Sequence, residues 1–208
     1  MKKIITLIAI TALTFGISTT TQAKGGYSFN RLYGSDRYKT SVNISNNFSS
    51  GTVQNVIVSS GNNFPDALAG SVLSKKLNAP ILLVSNDINN NSDSIEYIQS
   101  HLDKGGNIYV LGGKSSVSDD FMNYMQKQGY NVIRLGGSNR FDTNKSIVNY
   151  MNVPKGTPVV LVNGYGFADA LSISSVAALK GYPILMANSS NLPNETKETI
   201  TNLQPRKQ

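Results

Sequence analysis

The chain repeats itself, and that repetition limits its fold more than any other feature. Arg31-Leu32-Tyr33-Gly34-Ser35-Asp36-Arg37-Tyr38-Lys39-Thr40 returns as Arg134-Leu135-Gly136-Gly137-Ser138-Asn139-Arg140-Phe141-Asp142-Thr143, an offset of 103 residues. The same offset carries Phe64, Asp66, Ala67 and Leu68 onto Phe167, Asp169, Ala170 and Leu171, and Pro80-Ile81-Leu82 onto Pro183-Ile184-Leu185. Aligned without a gap, residues 24–86 and 127–189 share about 21 identities over 63 positions. A third identical over that length is no accident, so whatever the first block folds into, the second must build again.

Each block alternates short apolar runs with amphipathic ones, which argues for β/α alternation around a parallel sheet. The first block predicts strands at Ser28–Leu32, Asn55–Ser59, Ala79–Val84 and Asn107–Leu111. These runs are nearly continuous in apolarity, as strands covered on both faces should be. Helices are expected near 39–50, 65–78, 93–103 and 117–128. Ser92 is a candidate cap for the third of them, and Ser116 or Ser118 for the fourth. Pro65 fits a first helical turn, where Asp66 complements the positive helix end. The helix at Phe64 is rich in small residues (Ala67, Ala69, Gly70, Ser71), and its partner carries Ala168, Ala170, Ser172 and Ser174. Such faces read as close packing on a sheet. The second block predicts strands at Asn131–Leu135, Pro158–Val162 and Pro183–Ala187 and a helix at Asn194–Leu203. Pro80–Val84 and Pro183–Ala187 are expected to be matching central strands. The counterpart of 107–128 would begin near residue 210, beyond Gln208. A shortened gene and an edge completed by a partner both remain open. The layout is a leader over 1–23, a first module over 24–129 and a second, incomplete module over 130–208.

Residues 1–23 have the form of a secretory signal peptide. Lys2 and Lys3 precede an apolar run from Ile4 to Ile17, shorter than the roughly 20 residues that span a bilayer, and Thr21-Gln22-Ala23 supplies small residues for cleavage. The mature chain is therefore expected to be secreted to the cell surface or wall, with no membrane span. It has no cysteine, so no disulfide, thiol nucleophile or thiolate metal site is available. The formal charge is +7, of which the leader supplies Lys2 and Lys3. A positive balance draws a secreted protein toward anionic surfaces or polymers, although ordinary solubility accounts for it equally well.

Motifs that could carry chemistry fail on spacing. Leu111-Gly112-Gly113-Lys114-Ser115 invites comparison with a phosphate loop, but the first glycine that loop requires would fall at Ile108. The glycine pair is better read as a source of positive φ at a strand-to-helix turn. In Gly164-Tyr165-Gly166-Phe167-Ala168-Asp169 the third glycine of a dinucleotide fingerprint is replaced by a carboxylate, which repels pyrophosphate. His101 is the only histidine, at an expected helix end, so a His-based triad or the usual catalytic zinc site cannot be assembled. Asp66 and Asp169 occupy equivalent positions, so a capping role for each is more economical than a hydrolytic pair. No catalytic residue, metal site or cofactor is expected, and no nucleic-acid partner.

The repeated arginines remain. Arg31, Arg37, Arg134 and Arg140 lie around loops at strand ends, where a guanidinium can grip phosphate or carboxylate through two hydrogen bonds. Each can instead tie its own loop to a neighbouring carboxylate or carbonyl. Asp36 and Asn139 beside Arg37 and Arg140 favour that structural role.

Taken together, these residues resemble the cell-wall-binding repeat type 2 family of Gram-positive surface proteins. The resemblance rests on Arg31-Leu-x-Gly-x-Asp-Arg-Tyr-x-Thr, Ser60-Gly-x-x-Phe-Pro-Asp-Ala-Leu, Ala79-Pro-Ile-Leu-Leu-Val and Ile108-Tyr-Val-Leu-Gly-Gly followed by Ser116-Val-Ser. It implies an α/β fold of tandem Rossmann-like (flavodoxin-like) modules, usually three in a pseudo-threefold group, that attach proteins non-covalently by binding an anionic wall polysaccharide. The family's anchoring signature falls here on Pro80, Ile81, Leu82 and Leu83, and in the second copy on Pro183, Ile184, Leu185 and Met186. As an apolar strand, it suits a structural requirement for the site better than a direct polymer contact. Against that pattern, fewer than two complete modules and no separate effector domain are expected here. A non-catalytic wall-binding protein is the leading expectation. The alternatives are an accessory fragment of an amidase-type wall hydrolase and a surface protein that completes itself with a second copy or with other wall-binding modules.

Overall fold

The computed structural model describes residues 28–206, so the expected leader over 1–23 lies outside them. Residues 28–31 are exposed and form no strand. From Leu32 onward the order is α1 (Arg37–Phe48), β1 (Val53–Ser60), α2 (Pro65–Leu77), β2 (Ile81–Val84), α3 (Ser92–His101), β3 (Leu102–Leu111), α4 (Asp119–Lys127), β4 (Asn131–Leu135), α5 (Arg140–Met151), β5 (Val160–Asn163), α6 (Phe167–Lys180), β6 (Ile184–Ala187) and α7 (Asn194–Leu203). A four-stranded parallel sheet has the order β2-β1-β3-β4, and a two-stranded parallel sheet pairs β5 with β6. The expected α/β architecture of parallel sheets flanked by helices is present. Among the described residues no helix is long and apolar enough to cross a membrane.

Side chains of the first sheet alternate between two layers. Val56, Val58, Ile108 and Val110 face a core shared with Tyr97 and Ile98 of α3 and Phe121 and Met125 of α4. Ile57, Tyr109 and Leu111 face the other layer, built with α2, α5 and the second repeat. The strand edge at β2 is covered by side chains: Ser41 Oγ accepts from Leu83 N at 3.0 Å, and Ser94 Oγ donates to Leu83 O at 3.0 Å. Covering an edge this way satisfies backbone groups that would otherwise recruit another strand.

The repeat is kept in the register. Ile57 pairs with Ile81, and Val160 with Ile184, which are the same pair displaced by 103 residues. Pro80 O accepts from Ile57 N and Pro183 O from Val160 N, both at 2.9 Å. The two strands carrying the Pro-Ile-Leu run therefore match, but they are not central. Each is an edge strand with one neighbour. Apolarity was a poor guide here because helix side chains, not a further strand, close the edge.

Two other expectations are corrected. Ser28–Leu32 and its counterpart Asn131–Leu135 were both expected as strands, yet only the latter is one. β4 exists because β3 offers it an edge, reinforced by an asparagine ladder: Asn131 Nδ2 donates to Asn107 Oδ1 at 2.8 Å and Asn107 Nδ2 to Asn55 Oδ1 at 2.9 Å. Ser92, offered as a cap, is the first helical residue of α3, preceded by Asn91, whereas Ser118 does cap α4 by accepting from Phe121 N.

β1 has strand neighbours on both sides, β5 only on one. Equivalent residues feel the difference: Val58 is wholly buried and Leu161 is 51 % exposed. Within the chain, α5 packs on α2 and buries Ile147 and Met151 completely. Their counterparts on α1, Ile44 and Phe48, are exposed.

Candidate functional site

The loops that follow parallel strands carry the function of most open α/β sheets, because helix N-termini and free backbone groups converge there. In this chain that edge holds three of the four arginines. Asp36 and Asn139 turn out to be helix caps: Asp36 Oδ1 accepts from Lys39 N at 2.9 Å, and Asn139 Oδ1 accepts from Phe141 N and Asp142 N at 2.7 and 2.9 Å. The arginine after each cap is thereby aimed at the next strand end. Arg37 Nη1 donates to Gly61 O and Arg140 Nη1 to Gly164 O, both at 2.6 Å, so each ties its helix start to the loop after β1 or β5. Arg140 also lies 4.2 Å from the centroid of the Tyr165 ring. Gly61 and Gly164 leave these carbonyls approachable; a Cβ on Gly61 would collide with the Tyr38 ring.

Arg134 is spent differently. Its guanidinium donates to Gly112 O, Val117 O and Asp119 Oδ1 at 2.8, 2.9 and 3.0 Å, which pins the β3–α4 loop. Asp119 is also bonded by Lys114 at 2.7 Å, and that hydrogen bond, aided by the charges of Lys114 and Arg134, holds its carboxyl below the usual range. Lys114 of the Gly-Gly-Lys-Ser run is thus engaged with α4, and Gly112 there has φ +114°. Arg31 is an exposed residue of the stretch before α1. His101 ends α3 half-buried, stacked on Tyr97 with ring centroids 4.4 Å apart.

A cleft of about 470 Å³ opens where the two repeats meet at this edge. It brings together Arg37 and Leu83, two residues the sequence had singled out separately, with Phe64 and Leu68 from one repeat and Phe167 and Leu171 from the other. Phe64 and Phe167 are equivalent residues and meet edge to face, 6.0 Å between centroids. Of the Pro-Ile-Leu-Leu run, Leu83 lines this cleft, Pro80 and Leu82 are buried, and Ile81 is half-buried in the inter-repeat core. In the second copy Pro183, Ile184, Leu185 and Met186 are all buried.

Sequence reasoning missed a second, polar pocket of about 140 Å³, lined by Asp66, Arg140 and Thr143 together with Ser115, Ser116 and Asn139. Asp66 was expected to serve the helix start, as Asp169 was. Each does stand in the first turn of its helix, but the two copies differ in burial: Asp169 is exposed, while Asp66 is buried close to Gly112 of the β3–α4 loop. Burial pushes the Asp66 carboxyl up to about 6, against the opposing charge of Arg140. No sequence pattern separates the two aspartates. Only the presence of β3 beside β1 does.

The model of cell wall binding domain 2 matches residues 31–122 and 134–204. The N-acetylmuramoyl-L-alanine amidase LytC of Bacillus subtilis is 32 % identical over 176 residues, covering 83 % of this chain and 34 % of the amidase. The amidase enhancer of the same organism is 33 % identical over 164 residues, 79 % of this chain and 22 % of the enhancer. Among solved structures, Cwp8 from Clostridium difficile superposes with a TM-score of 0.75 at 31 % identity, over 81 % of this chain and 29 % of Cwp8. Cwp6 from the same organism gives 0.74 at 26 %, over 90 % and 31 %. The chain thus spans about a third or less of each of these proteins.

Proposed function

Because this chain belongs to the cell wall binding domain 2 family, we propose that it attaches non-covalently to the bacterial cell wall by binding an anionic wall polysaccharide, without catalysis. The observation that carries this reading is the cleft between the repeats, which sets a cationic side chain, Arg37, beside apolar walls of Leu68, Leu83 and Leu171. A polymer alternating sugar faces with anionic groups presents both surfaces. The positive balance, +5 once Lys2 and Lys3 of the expected leader are set aside from the formal +7, adds long-range attraction, screened within about 8 Å at physiological salt. The match to the amidase covers a third of that enzyme, so its chemistry is not carried over with the match.

Co-sedimentation with purified Gram-positive walls tests the proposal. Binding is expected to fall as salt rises and to be lost on walls stripped of their anionic polymer; equal binding to stripped walls would refute it.

A second reading, association between copies, has its own observation. The α2–α5 contact inside the chain supplies a template: α6 repeats α2 and exposes Leu171, Val176 and Leu179, while α1 repeats α5 and exposes Ile44 and Phe48. The α6 face of one copy can receive the α1 face of another. A strictly monomeric mass by light scattering would dismiss it.

A further inference from the structure

Two of the side chains that line the polar pocket, Asp66 and Thr143, belong to buried residues and turn their oxygens to the pocket rather than to protein partners. Asp66 is 6 % exposed and Thr143 2 %, and neither side chain has a hydrogen-bond partner among the described residues. A polar group so enclosed ordinarily finds one. The first repeat shows how Thr143 could have been satisfied locally: the equivalent Thr40 donates to Asp36 O at 2.6 Å and accepts from Gly34 N at 3.0 Å. Thr143 forgoes both bonds and lines the pocket instead.

Its position is that of a ligand site. The pocket walls come from the turns after β1, β3 and β4. In the order β2-β1-β3-β4 the chain reverses direction of winding between β1 and β3, and open α/β sheets bind ligands in the crevice at that point.

Charge then narrows the chemistry. An anion meets the Asp66 carboxylate, and a cation meets the Arg140 guanidinium. A neutral group rich in hydroxyls satisfies both, donating to Asp66 and accepting from Arg140, while Thr143, Ser115 and Ser116 can bond in either sense. At about 140 Å³ the pocket is well below the roughly 300–1,000 Å³ of sites for drug-sized ligands, so it takes a fragment no larger than one ring.

We propose that this pocket is a subsite for one neutral, polyhydroxylated sugar unit, with Asp66 and Thr143 as its principal hydrogen-bonding residues. The inference rests on the wall-polysaccharide reading and refines it: the charge of the polymer is met at the Arg37 cleft, and the identity of an uncharged sugar is read here. Buried groups built to bond a hydroxyl discriminate strongly against ligands that lack it.

The test uses amide NMR of the intact chain titrated separately with D-glucose, N-acetyl-D-glucosamine and inorganic phosphate at millimolar concentration. At least one of the sugars is expected to give saturable shifts at Gly113, Ser115, Ser116 and Gly137, and phosphate none. Thr143→Val, nearly isosteric, and Asp66→Asn are each expected to weaken that sugar's binding at least tenfold while the rest of the spectrum is unchanged. Phosphate shifts at those amides, silence with both sugars, or full sugar affinity in both variants would overturn the subsite. Parallel wall sedimentation separates the two claims. Wild-type protein that sediments with walls but binds neither sugar loses only the subsite; sugar binding without sedimentation loses the wall reading and keeps the pocket.

Discussion

Ser71 and Ser174 are the same residue of two successive repeats, and they touch: Ser71 Oγ donates to Ser174 O at 3.3 Å across the α2–α6 pair. Phe64 and Phe167, also equivalent residues, meet at the cleft in the same way. The small faces of these helices, expected to bring each helix close to a sheet, also bring the two helices close to each other. Gly70 serves the sheet side, where a Cβ would clash with Leu111. Enlarging the shared face is therefore expected to be costly. Ser71→Leu should lower stability by about 1–3 kcal/mol through overpacking, read as a lower urea midpoint.

Asp66 makes stability depend on pH in an unusual direction. Its carboxyl is raised from 3.8 to about 6, so between those values the folded chain holds more protons than the unfolded one. Stability then falls as pH rises from about 4 to about 6, and the loss is complete above that window. Asp66→Asn, always neutral, is expected to be more stable than wild type above pH 6, by up to about 3 kcal/mol, with the gap closing below pH 4. Urea unfolding of both proteins across that range measures it; a constant offset would contradict the assignment.

Equivalent residues should respond unequally to equivalent changes. Val58→Ala opens a cavity in a closed core and is expected to cost about 2 kcal/mol. Leu161→Ala, at the matching position, removes a half-exposed side chain and should stay within about 0.5 kcal/mol. Thermal unfolding of the two variants decides this.

The arginines divide by task. Arg134→Met abandons two carbonyls and Asp119, and should destabilise the β3–α4 turn by about 2 kcal/mol. Arg37→Ala gives up one exposed hydrogen bond, so its effect on unfolding should be small while its wall retention falls. Unfolding curves and sedimentation on the same samples distinguish the two.

Much of this could be read in the residues. The spacing of Ile57–Ile81 and Val160–Ile184, the helix at Asn194–Leu203 and the strand at Asn131–Leu135 follow from the apolar pattern and its recurrence at 103 residues. So did the positive φ at Gly112 and the cap at Ser118. The edge position of β2 was hidden, because an apolar run looks the same whether a strand or a row of helix side chains such as Ser41 and Ser94 closes it. Cleft and pocket were hidden too, since each gathers residues from loops far apart in the chain.

By itself the sequence determined a duplicated α/β unit, because periodicity and repetition are local properties that survive without knowledge of neighbours. Tertiary structure alone decided what each copy of a residue does. Asp66 is buried and Asp169 exposed, Val58 covered and Leu161 open, for one reason: β1 lies between two strands and β5 beside only one. Burial, and the chemistry that burial imposes on a carboxylate or a hydroxyl, belongs to the neighbours a residue acquires rather than to the residue.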